Sequence, residues 1–72
     1  MAIARSTVIT TLPVSEEVAR HAAAESFRRL GGRDPESIHV LECRTSGIVE
    51  MNGEDIDLLA AHLAAWDFEA VF

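Results

Sequence analysis

Residues 38–52 read IHVLECRTSGIVEMN, two β-rich runs flanking Thr45-Ser46-Gly47. Loop length sets which residues of a hairpin face each other. A two-residue loop at Ser46-Gly47 sets Cys43 opposite Glu50, an apolar side chain against a charge. A three-residue loop, with Gly47 left-handed in a bulge, pairs Arg44 with Ile48, Cys43 with Val49, Glu42 with Glu50 and Leu41 with Met51. That register collects Leu41, Cys43, Val49 and Met51 on one face, and we expect it for that reason.

Toward the N-terminus, Ile3 to Leu12 contains the β-branched run Thr7-Val8-Ile9-Thr10-Thr11 and stops at Pro13, which reads as a strand. Ser15 then has the side chain of an N-cap, and Glu16 and Glu17 sit where a helix dipole favours negative charge. Val14 and Ala19 are spaced for a hydrophobic staple. The helix runs to Leu30 on an apolar stripe of Val18, Ala19, Ala22, Ala23, Phe27 and Leu30, and Gly31-Gly32 ends it.

Toward the C-terminus, Asn52 reads as the cap of a second helix, with Asp55 as its capping-box partner and Glu54, Asp55 and Asp57 in the first turn. Ile56, Leu59, Ala60, Leu63 and Trp66 supply the buried stripe. Phe68, Ala70 and Phe72 then alternate with Glu69 and Val71, which predicts a short last strand; continuation of the helix is the alternative. The order βαββαβ implies one ferredoxin-like α+β domain over residues 1–72. Its expected form is a four-stranded antiparallel sheet with two helices on one face.

Composition bounds the function. Seventy-two residues support one core, and 49% apolar residues with a mean hydropathy of +0.14 exclude a disordered tail. No apolar run approaches the roughly 20 residues of a membrane helix. Met1-Ala2-Ile3-Ala4-Arg5 lacks the charged start and apolar stretch of a secretion signal, so a cytoplasmic protein is expected. Cys43, the one cysteine, excludes an internal disulfide. Six arginines without a lysine, and eleven alanines, suit a GC-rich bacterial or phage genome. At this size burial and chain entropy nearly cancel, which favours help from a partner chain, from tight packing, or from both.

The formal net charge of -6 argues against direct binding of nucleic acid. The charge is also uneven. Residues 1–36 balance five arginines against five acids, whereas residues 37–72 set Arg44 against Glu42, Glu50, Glu54, Asp55, Asp57, Asp67 and Glu69. An asymmetry of this kind marks a binding surface, here Glu50, Glu54, Asp55, Asp57, Asp67 and Glu69.

Other constellations are weaker. Glu42 and Glu50, facing each other about 5 Å apart in the expected hairpin, have the makings of an acid–base pair. A solvated or dimer-paired sheet surface is the simpler account. His39 and Cys43 share a strand face but lie about 13 Å apart at strand rise, too far for one zinc ion. His21 between Glu17 and Glu25 is an ordinary helix-surface pairing. Gly31-Gly32 follows a helix, whereas a phosphate cradle precedes one. Ile38, Val40, Glu42, Arg44 and Ile48 make a partly apolar sheet face suited to a homodimer. Leu58, Ala61, His62 and Ala65 form an apolar strip behind the second helix.

The expectation is a non-enzymatic module without metal or cofactor, binding a protein partner with a basic surface. Small size, acidity and absence of catalytic motifs are shared with inhibitors of nucleic-acid-handling complexes, the anti-CRISPR class among them. The alternatives are a dimeric ligand-binding protein or small enzyme with its site at Glu42 and Glu50, and a subunit of a larger assembly.

Overall fold

The computed structural model describes residues 2–72. In chain order the elements are β1 (Ile3–Thr11), α1 (Glu16–Gly31), β2 (Ser37–Arg44), β3 (Ile48–Met51), β4 (Glu54–Asp57), the single-turn α2 (Leu58–Ala61) and β5 (Leu63–Val71).

The first half follows its local signals. The Ser15 hydroxyl accepts from the Val18 N–H at 3.3 Å, and Glu16 and Glu17 occupy the first turn of α1. Gly32, at φ 73°, closes the helix by donating its N–H to the Arg28 carbonyl at 2.8 Å. Val14 and Ala19 meet in the same apolar cluster, as a staple requires. The face of α1 that is buried is narrower than its apolar stripe. Ala19, Ala23 and Phe27 are fully buried, whereas Val18 and Leu30 are exposed.

The second half departs from expectation. β2 does not pair with β3. A three-stranded antiparallel sheet has the order β1-β5-β2, and β3 pairs with β4 in a separate two-stranded sheet. β1 and β2 run parallel, linked through α1, with β5 inserted between them. The chain is therefore α+β with two helices and antiparallel sheets, but its five strands lie in two sheets. The four-stranded ferredoxin-like sheet does not form, and α2, one turn long, is too short to cover a sheet face.

Backbone conformation explains the reassignment. Asn52 (φ 54°) and Gly53 (φ 81°) are both left-handed, as a two-residue type I′ turn demands, and they join β3 to β4. Asn52 is a turn residue and not a helix cap. Asp57 caps the short helix instead, its Oδ1 accepting from the Ala60 N–H at 3.2 Å. Gly47 is left-handed (φ 93°) as expected, but it ends a crossing between sheets, and its carbonyl accepts from the Leu58 N–H.

β5 is the centre of the fold. It runs nine residues, longer than the expected short strand, and takes in Leu63 and Trp66 from the expected helix. Its even-numbered residues, Ala64, Trp66, Phe68 and Ala70, are buried under α1 with Ala19, Ala23 and Phe27. The alanines on both sides let helix and sheet approach closely around the large Phe68 and Trp66 rings. Its odd-numbered residues face the other way. There Ala65, with Ile9 and Leu63 beside it, packs under Val49, Leu58 and Ile56 of the hairpin and α2. The expected strip of Leu58, Ala61, His62 and Ala65 is thereby broken, because Leu58 and Ala65 are buried. Leu41 and Cys43, expected in the core, are exposed on the edge strand β2.

Candidate functional site

Strand alternation gives the three-stranded sheet one face under α1 and a second face that is covered by the hairpin around Ala65 and polar around Asp67 and Glu69. Across the polar face, Thr7, Asp67 and Glu42 stand side by side in one row, and Arg5, Glu69 and His39 in the next. The central strand thus carries two carboxylates, and the edge strands carry most of their partners. Arg5 Nε donates to Glu69 Oε2 at 3.2 Å, and the Thr7 hydroxyl donates to Asp67 Oδ1 at 2.7 Å. Arg44 reaches Asp67 Oδ2 through Nη2 at 3.4 Å and lies 4.0 Å from Glu42 Oε2 through Nε, an atom shielded from water and without a hydrogen-bond partner. Arg5, Thr7, Leu41, Glu42 and Asp67 border an open depression of about 690 Å³. Each acid on this face has an arginine within 4.0 Å, so the face is ordered by charge pairing and presents little excess charge.

The β3–β4 hairpin is the opposite case. Its register sets Val49 against Ile56, turned toward the second cluster, and Glu50 against Asp55, turned away from it. Asp57 lies opposite Ile48, and Glu54 opposite Met51. All four carboxylates are exposed and the segment holds no basic residue. Like charges directly opposite on neighbouring strands are destabilising. Among the described residues no arginine lies within 4.0 Å of Glu50, Glu54, Asp55 or Asp57. The remaining acids without such a partner are Glu17 and Glu36.

Several expected groupings are corrected by this geometry. Glu42 and Glu50 do not face each other: they lie in different sheets, opposite Asp67 and Asp55 respectively. The acidic set divides into the unpaired hairpin group, Glu50, Glu54, Asp55 and Asp57, and the arginine- or threonine-bound pair Asp67 and Glu69. The five residues expected to make one dimer face are also dispersed. Ile38 and Val40 pack against the α1 core, Glu42 and Arg44 share the polar face, and Ile48 is exposed on the hairpin. The physical reason is the same throughout, since β2 pairs with β5 and not with β3.

His21 lies on α1, His39 on β2 and His62 at the left-handed C-cap of α2, and among the described residues no three potential metal ligands converge. The Arg5–Glu69 and Thr7–Asp67 contacts join residues more than 50 positions apart, which no local pattern pairs. Their only sequence signal is the alternation of residues 67–72, which the helical reading of the preceding residues obscured. On α1 the Arg28 guanidinium is held above its ordinary value by its hydrogen bond to Asp34 and then by that carboxylate's charge, a link that ties the helix end to the following loop. Compared with protein-family models, curated proteins and solved structures, the chain matches none of them.

Proposed function

We propose that this chain is a small non-enzymatic binding module whose β3–β4 hairpin engages a basic surface on a partner protein. One observation carries the reading: four exposed carboxylates stand on a ten-residue segment without a cation, while the acids of the sheet face are matched to arginines. Uncompensated like charge on a two-stranded hairpin costs stability, and a basic partner would relieve that cost on binding. Carboxylates so arranged can occupy arginine and lysine positions that otherwise hold phosphates. That suits an inhibitor or regulator of a nucleic-acid-handling protein within the cell, and long-range attraction would speed the encounter.

The test is a comparison of two variants in affinity capture from the source cell. Replacing Glu50, Glu54 and Asp55 by Gln, Gln and Asn should abolish capture of the partner, and raising salt should weaken it for the unaltered chain. Asp57 is left in place because it caps α2. Replacing Glu42 and Glu69 by Gln should leave capture intact. Capture that ignores salt and the hairpin variant, or that follows the sheet-face variant, rejects the reading. A small-molecule site around Glu42 would have the depression beside Arg5 and Thr7 but not Glu50.

A further inference from the structure

The two edges of the three-stranded sheet are built differently. β2 is interrupted by a bulge between Val40 and Glu42, and the Arg20 guanidinium on α1 donates to the carbonyl of Ile38. Both features blunt a strand against further pairing. β1 has neither. Its nine residues keep an unbroken register from Ile3 opposite Val71 to Thr11 opposite Leu63, and none is proline.

Hydrogen bonding at the strand ends sets the phase of this ladder. Ala2 and Phe72 exchange N–H···O bonds at 3.3 and 2.8 Å, and Leu12 donates to His62 at 3.0 Å. In an antiparallel pair the bonded positions alternate, so even-numbered residues of β1 bond inward to β5. The N–H and C=O groups of Ile3, Arg5, Thr7, Ile9 and Thr11 therefore point outward, where no strand among the described residues meets them.

The helix above adds a second observation. Arg20 and Ala24 of α1 lie on the side of β2, bordering a groove with Glu36 and Ile38. Helical periodicity turns Val18 and Ala22 to the opposite flank, above the β1 edge. Val18 is 55% exposed and Leu30, beside Ala2 and Ala4, is 75% exposed. Ile3, at 60%, is exposed at the same edge but on the face of the sheet away from α1. Open backbone groups and exposed aliphatic side chains thus share one border of the molecule.

We propose that two copies of this chain associate through this border, β1 pairing antiparallel with β1 about Thr7 to make one continuous six-stranded sheet. The register is self-complementary. Thr7 faces its own copy, Arg5 faces Ile9 and Ile3 faces Thr11, so outward groups meet outward groups and no like charges are opposed. Five donors and five acceptors from each copy then form ten hydrogen bonds. The strand carries no acid, and the half of the chain supplying this border has balanced charge, so the net -6 does not oppose the approach. Because β2 is blocked, each sheet has one open edge, and a symmetric pairing closes at two copies without extending into a fibre. The proposal is independent of what the acidic hairpin binds.

Sedimentation equilibrium tests it directly. The unaltered chain should rise with concentration from its 7.9 kDa monomer mass to about twice that value. Thr7→Pro removes an outward N–H and the Thr7–Asp67 side-chain hydrogen bond but leaves the β1–β5 backbone ladder intact, and should hold the mass at that of the monomer with unchanged circular dichroism. Should that variant unfold, amide hydrogen exchange on the unaltered chain decides. The Arg5, Thr7 and Ile9 amides should become at least tenfold slower to exchange as concentration rises across the association range. A chain that stays monomeric to millimolar concentration would leave the β1 edge for a strand of another protein and overturn the proposal. A dimer whose Arg5, Thr7 and Ile9 amides exchange at unpaired rates, or one that persists in a folded Thr7→Pro variant, overturns it as well.

Discussion

Trp66 shows how a single side chain ties the sheet together. Its ring lies 6.4 Å from that of Phe68, nearly parallel to it, and its indole N–H donates to the Thr10 hydroxyl on β1 at 2.9 Å. The residue is only 8% exposed, so an indole N–H that loses this acceptor has little access to water. Thr10→Val keeps the shape of the side chain and removes the acceptor. We expect a loss of about 1–2 kcal/mol, the cost of an unsatisfied buried donor. Urea unfolding followed by the fluorescence of this one tryptophan measures it, and an unchanged midpoint would show that water replaces the hydroxyl. Asn52 and Gly53 make the complementary point about sequence. Their adjacency is a direct signal for a type I′ hairpin, but Asn52 followed by three acids also resembles a helix start. The acids favoured the wrong choice, because negative charge after a candidate cap suits a helix dipole and serves no purpose in a hairpin fold.

Among the elements, the hairpin and β5 carry the main lessons. In the hairpin, Glu50 opposite Asp55 sets charge against charge. Asp55→Lys turns that repulsion into attraction and should stabilise the protein by roughly 0.5–1 kcal/mol. The same change should weaken binding to a basic partner, so stability and affinity move in opposite directions. Thermal melting and the capture experiment together check it; a destabilised Asp55→Lys variant would show that the pair is not under strain. In β5, the run of alanines and the spacing of Leu59, Leu63 and Trp66 read as helix by propensity and period. Strand alternation marks only Asp67 to Phe72 in the sequence, so Trp66 falls to the helical stripe. Tertiary context settles the conflict. A nine-residue strand buries Trp66 and Phe68 together under α1, which a helix cannot do because it sets residues two apart on nearly opposite sides.

At the scale of the molecule, two unequal cores share one sheet. The larger joins α1 to β1, β5 and β2, and the smaller holds Val49, Leu58 and Ala65 with Ile9, Ile56 and Leu63. A two-stranded hairpin held by so few buried side chains is marginal on its own. Its amides should therefore exchange through local opening. We expect protection in β3 and β4 to be lower by at least tenfold than in the centre of β5, whose amides should open only on global unfolding. Native-state hydrogen exchange measures both. Equal protection would show one cooperative unit and would make the acidic hairpin a rigid binding surface.

What the chain reveals by itself is local. β1, the capped α1 with its glycine stop, the left-handed Gly47 and the excess of acid after residue 36 all follow from neighbours a few positions apart, and such interactions are legible in order. Which strands pair is not local. The hairpin register for residues 38–52 is internally consistent, yet β2 bonds to β5, some 30 residues on, because that pairing packs Ile38 and Val40 against the core of α1 and β5. Only the tertiary structure separates Glu42 from Glu50, binds Asp67 and Glu69 to arginine and threonine, and leaves four acids of one hairpin without a cation. Side-chain periodicity tells which residues share a face of a strand; long-range burial decides which strand lies beside it.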